Sequence, residues 1–145
     1  MRKSIYILIF FIFSAYSFAQ FKNASFMANG FTLPYQVMYP ESYDETKTYP
    51  LVVFLHGAGE RGDDNQKQLT HGKQFLIDNF QTTYPAIVIV PQCPAGNYWA
   101  NVTRHQIDNK TTFAFGLTDN PTQPMNTLMA LVNSWLLSGN IDINR

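Results

Sequence analysis

Tyr49-Pro50-Leu51-Val52-Val53-Phe54-Leu55-His56-Gly57-Ala58-Gly59-Glu60-Arg61-Gly62-Asp63-Asp64-Asn65 decides how the rest of this sequence is read. Residues 51–55 form an unbroken apolar run rich in β-branched side chains. That pattern predicts a strand buried on both faces of a parallel sheet. The run breaks directly into a glycine-rich polar turn. In open α/β sheets ligands bind just beyond the carboxyl ends of the strands, and glycines there bring backbone N–H groups close to a ligand. The stretch reads as a strand that delivers backbone donors to a reaction site.

Upstream, Asn29-Gly30 separates Phe26-Met27-Ala28 from Phe31-Thr32-Leu33, a strong short-range hairpin signal. The second hairpin strand continues over residues 35–39, with Tyr35, Val37 and Tyr39 on one face. Downstream, a helix is expected over residues 65–80, capped by Asp64 or Asn65 and broken or bent at Gly72. Ala86-Ile87-Val88-Ile89-Val90 reads as a second buried strand, which completes a β-α-β unit. Residues 96–124 lack clear periodicity and are expected to be a long irregular section. A helix then starts at Pro124. Met125, Leu128, Met129, Leu131, Val132, Trp135 and Leu136 give it a wide apolar face, and Gly139 ends it.

The segment Leu55-His56-Gly57-Ala58-Gly59-Glu60-Arg61-Gly62 resembles the oxyanion loop after the third strand of α/β-hydrolases. It is most similar to secreted esterases of the phospholipase/carboxylesterase, dienelactone-hydrolase and polyhydroxybutyrate-depolymerase type. The resemblance extends weakly over residues 26–145. It implies an incomplete α/β-hydrolase fold, with a mostly parallel sheet and an amino-terminal β-hairpin. It also implies hydrolysis of a carboxylic ester, with a peptidase as a variant on the same fold. The resemblance makes the Ala58 N–H the first-choice oxyanion donor and Gly59 the second. His56, Gly57, Glu60 and Arg61 become structural residues of the loop, with Arg61 paired to one of the acids.

The same chemistry needs a serine, a histidine base and an orienting acid. The serine of this fold sits on a Gly-x-Ser-x-Gly elbow. Outside the leader the serines are Ser25, Ser42, Ser134 and Ser138, and none stands in that motif. The expectation is an amino-terminal part of a hydrolase that is inactive by itself. The rival reading is a non-catalytic secreted binding or structural module on a degenerate hydrolase fold. Tyr98 and Trp99 are candidate substrate-binding residues, with packing beneath the long section as the alternative. His105 and Asp108 are expected to be solvated.

Composition limits the remaining options. The 145 residues suffice for one domain, and 46% are hydrophobic against 14% charged, a globular balance. Residues 1–19 read as a signal peptide: Arg2 and Lys3 lead an apolar run, and Ser17-Phe18-Ala19 offers a cleavage site. Residues 20–145 then form the hydrolase part, and the product is expected to be secreted or periplasmic. The apolar run falls short of the roughly 20 residues of a membrane span, so no stable anchor is expected. Without the leader, eight basic face ten acidic residues, with no basic stripe for nucleic acid. The expected partner is an ester substrate, small or polymeric. The acids near His56 and His71 follow no known metal-ligand spacing, so neither metal nor other cofactor is expected. Cys93, the single cysteine, reads as a packing residue. Residues 20–145 alone are expected to aggregate or to be molten, because the strand at residues 86–90 would lack its neighbour.

Overall fold

The computed structural model describes residues 21–116 and 120–145, so the expected signal peptide lies outside the described residues. Six strands and two α-helices occur among them: β1 (Lys22–Ala28), β2 (Phe31–Met38), β3 (Leu51–Val53), α1 (Lys73–Phe80), β4 (Ile87–Pro91), β5 (Val102–Ile107), β6 (Lys110–Phe115) and α2 (Gln123–Leu136). The first four strands make one sheet in the order β1-β2-β4-β3, and β5-β6 make a separate hairpin.

The Asn29-Gly30 hairpin forms as expected. Both residues have positive φ, 52° and 74°, as a two-residue turn matched to the strand twist requires. The expected mostly parallel sheet does not form. The β1–β2 and β2–β4 pairs are antiparallel, and only β3–β4 is parallel. Hairpin reversal sends β2 opposite to β3 and β4, and β2 then lies directly against β4.

The two apolar runs exchange the roles read from the sequence. Every residue of β4 is buried, and β4 is hydrogen-bonded on both edges, so it does not lack a neighbour. β3 is only three residues long, each partly buried, and lies at the sheet margin. Leu55, at the end of the expected strand, is 39% exposed. Just before β3, Tyr49 makes an isolated parallel bridge with Ile141, in which Tyr49 N–H donates to Asn140 O (2.8 Å) and Asp142 N–H to Tyr49 O (2.9 Å).

Side chains alternate across β4. Ile87 and Ile89 face a core with Leu33, Val37, Leu128 and Leu131, covered by α2. Val88 and Val90 face the opposite core with Met38, Leu69 and Leu76, covered by α1. Fully burying each such side chain contributes about 1.5–3 kcal/mol. Helices thus lie on both faces of the sheet.

The helix expected over residues 65–80 is shorter. Turns and a single 3-10 turn at Lys67–Leu69 precede α1, which begins after Gly72. Asp64 and Asn65 spend their side chains on tertiary and turn contacts instead of capping one long helix. α2 starts near Pro124 with Thr122 as its cap, whose hydroxyl accepts from Met125 N–H. Its apolar face is narrower than expected, since Met129 (52%) and Leu136 (39%) are exposed. The long section is also not irregular throughout. β5 and β6 pair through Asp108-Asn109, both at positive φ, in a hairpin whose residues are nearly all exposed.

Candidate active site

The turn after β3 is the centre of the site. Gly57 is extended, and Ala58–Glu60 form a single 3-10 turn. The first N–H groups of such a turn have no partner within it. Glu60 N–H reaches back to Gly57 O at 3.4 Å, whereas those of Ala58 and Gly59 meet no acceptor among the described residues. Gly57, Ala58 and Gly59 are exposed. The loop thus presents two adjacent amide donors to its surroundings.

His56 is buried, and both ring nitrogens are engaged. Nε2 accepts from Cys93 N–H at 2.9 Å. Nδ1 therefore carries the hydrogen and donates to Gly57 O, 2.6 Å away. A ring committed in this way braces the loop and has no lone pair left for a base.

Arg61 pairs with no acid among the described residues. Its Nε donates to Ala58 O (2.8 Å) and its Nη1 to Asn97 O (3.0 Å). The guanidinium also lies 4.1 Å from the centre of the Tyr98 ring, an attractive cation–π contact. In place of the expected carboxylate, two backbone carbonyls take its Nε and one Nη1 donor, and the Tyr98 ring lies against its face. The acid Glu60 faces His71, with 3.4 Å between Oε1 and Nε2.

Tyr98 and Trp99 both lie beside the loop. The Trp99 and His56 rings are 5.6 Å apart, and Trp99 also packs on the α2-side core. The Trp99 indole N–H is buried without a partner among the described residues. Thr122 Oγ1 donates to the carbonyls of Tyr98 (2.9 Å) and Trp99 (3.0 Å), which ties this segment to the start of α2. His105 lies on the exposed β5, and Asp108 in the turn that follows it.

The segment after β4 supplies residues that the sequence reading missed. Gln92 is fully buried. Its Nε2 donates to Asp64 Oδ1 (2.9 Å) and Glu60 O (3.2 Å), and its Oε1 accepts from Asn65 N–H (2.6 Å). Asn65 Nδ2 donates to Tyr35 O (3.0 Å), and Asn65 Oδ1 accepts from Gln68 Nε2 (2.6 Å). Gln36 Nε2 donates to Asn65 O. The one available signal was an amide side chain at the end of an otherwise apolar strand. The backbone N–H groups of Lys67 and Gln66, together with the Gln92 amide, hold the Asp64 carboxyl well below the usual carboxylate range. Burial pushes the Cys93 thiol up to about 11, against the opposing pull of the Arg61 cation.

No triad assembles among the described residues. Ser134 and Ser138 donate to carbonyls of their own helix region, Leu131 O and Trp135 O, both at 2.7 Å. Ser25 and Ser42 are exposed. Among the described residues no three His, Cys, Asp or Glu side chains converge on a metal-sized site. None of the described helices is long and apolar enough to cross a membrane.

The fold has a solved counterpart. The chain is similar to the crystal structure of a thermostable esterase, with 31% identity and a TM-score of 0.63. The match covers 84% of this chain and 32% of that one, so the chain spans about a third of that esterase's length. The chain has a hydrolase-like fold. No family model and no curated protein matches the sequence.

Proposed function

We propose that these residues form the oxyanion half of an active site that hydrolyses carboxylic esters in a serine hydrolase. One observation carries the reading. Ala58 and Gly59 are exposed just after β3, and their amides meet no acceptor among the described residues, on a turn braced by His56 and Arg61. Donors fixed in advance, where negative charge develops, stabilise an acyl-transfer transition state. Likeness to a thermostable esterase supports the reading. Tyr98 and Trp99 then border the substrate, which is a small acyl ester or an ester on a polyester or polysaccharide. The sequence has no Gly-x-Ser-x-Gly, and in this fold the acid and histidine follow the nucleophile in chain order, so the proposal assigns none of the three to these 145 residues. Export after cleavage behind Ala19 is part of the same proposal, and sequencing the amino terminus of the secreted product should give Gln20 first.

The test uses a serine-reactive fluorophosphonate. Residues 20–145 alone should not label. A version extended through a Gly-x-Ser-x-Gly segment should label and should hydrolyse an activated ester. In that version Ala58→Pro removes one donor and should lower turnover about 100- to 1000-fold, roughly 3–4 kcal/mol. Circular dichroism must show that the variant folds. Stoichiometric labelling of the short chain at one serine, or full turnover by a folded A58P variant, would refute the assignment.

A further inference from the structure

We propose that Gln92 is the positioning residue of the Ala58–Gly59 donor pair, an inference that rests on the oxyanion reading of this loop. The loop and the end of β4 are joined at four points. His56 Nε2 accepts from Cys93 N–H, and Gly62 N–H donates to Cys93 O at 3.0 Å. Between these backbone ties the Gln92 side chain makes its three bonds to Glu60 O, Asp64 Oδ1 and Asn65 N–H. Arg61 closes the outer side through Asn97 O. Gln92 therefore holds the loop from the close of the 3-10 turn at Glu60 to Asn65, directly after the Ala58–Gly59 pair.

The chemistry of the position is directional. Two acceptors, the Glu60 carbonyl and the Asp64 carboxylate, face Nε2. A donor, the Asn65 amide, faces Oε1. Only an uncharged side chain with donor and acceptor on one fork satisfies all three, and this fixes the orientation of the amide. Leaving buried partners unmatched is costly. Gly62 makes the approach feasible, because a Cβ there would stand 3.1 Å from Gln92 Nε2. Asn65, at φ 50°, is held in the left-handed region where its N–H meets Oε1. Gln92 directly follows β4, a fully buried strand paired on both edges, and so ties the loop to the interior of the sheet.

Two substitutions separate positioning from bulk packing. Gln92→Met keeps length and loses every bond. Gln92→Glu keeps shape and one acceptor, but sets a second carboxylate against Asp64. Two carboxyls at this distance share a proton at a pH above that of either alone. Once protonated, the introduced carboxyl can donate to Asp64 or to Glu60 O, so the loop should re-form as pH falls from about 8 to about 4. The other charged or titratable groups here are Lys67, 3.2 Å from Asp64, Glu60 with His71, His56, Arg61 and Cys93. All of them are shared with the Met variant, which serves as the control.

The experiment is backbone relaxation NMR on the whole chain. In the parent, the Ala58 and Gly59 amides should show order parameters near 0.85, the value of rigid backbone. In Q92M they should fall below about 0.6 while the β2 and β4 amides stay unchanged. Q92E should match Q92M at pH 8 and recover at pH 4, where Q92M should not. Unchanged order at Ala58 and Gly59 in Q92M overturns the proposal, as does a loss spread equally over the sheet. If Q92M does not fold, Q92E decides: no change between pH 8 and pH 4 overturns it. None of these readouts involves ester turnover. A failed ester assay therefore counts against the functional reading and leaves the Gln92 result intact.

Discussion

Replacing Gly72 with alanine sets two known effects against each other. Gly72 sits at φ −113°, ψ −14°, immediately before α1. Alanine adopts that backbone without strain, and restricting the unfolded chain should stabilise by about 0.4–1 kcal/mol. The added methyl, however, would stand 2.6 Å from Phe54 Cζ, 2.9 Å from Cε1 and 3.1 Å from Cε2, well inside ordinary contact of 3.4–4 Å. Three ring atoms are involved, so no small rotation clears them, and overpacking of this kind costs about 1–3 kcal/mol. The clash should win, with a net loss of about 0.5–2 kcal/mol and a Tm lower by roughly 2–10 °C. Phe54 N–H donates to Ile89 O (3.0 Å) and lies two residues before His56, so displacing the ring also disturbs the loop. The assay is urea unfolding of the parent, G72A, Phe54→Leu and the double variant. If the ring is the obstacle, the smaller leucine side chain should relieve it, and the cycle should show a coupling of at least about 0.5–1 kcal/mol. A G72A protein as stable as the parent, or additive single effects, would refute the reasoning.

Two further outcomes follow from the ionisable groups. Cys93, with its thiol pushed up to about 11 by burial, should react with a disulfide reagent at pH 8 at least about 100-fold more slowly in the folded chain than in urea; equal rates would show that the thiol is accessible. The Asp64 carboxyl is held below its ordinary value when folded, so its contribution to stability is present above the ordinary value near 4 and is lost as pH falls below it. Asp64→Asn keeps an acceptor for Gln66, Lys67 and Gln92 but has no charge to titrate. Its unfolding free energy should decline less steeply between about pH 4 and pH 2, and Asp44 and Asp142, which are also lowered, contribute in the same direction in both proteins. An unchanged acid limb would show that Asp64 is equally free in both states.

Several features were legible in the sequence because they are local. Asn29-Gly30 specifies a tight turn through the φ values those two residues tolerate, whatever surrounds them. Pro124 through Leu136 carries enough helical periodicity to place α2 within a residue or two. The abrupt change from Val53 to Gly57 marked a strand end and a donor loop. The hairpin β5–β6 was also written locally, in the threonines and phenylalanines of residues 111–115 and the Asp108-Asn109 turn, but its strands are almost wholly exposed, so no buried face announced it.

Tertiary structure alone decided the order of the strands and the wiring of the loop. Two apolar runs of similar composition, residues 51–55 and 86–90, look alike in sequence. Which becomes the central strand depends on which one β2 pairs with, a long-range choice that composition does not encode. Asn97, one partner of Arg61, lies 36 residues away, and the partners of Gln92 lie 27 to 32 residues away, for the same reason. A charged or amide side chain advertises what it can bond. The folded chain determines which carbonyls and amides arrive within 3 Å of it, and here it brought Arg61 to a tyrosine face and Gln92 beneath the donor loop.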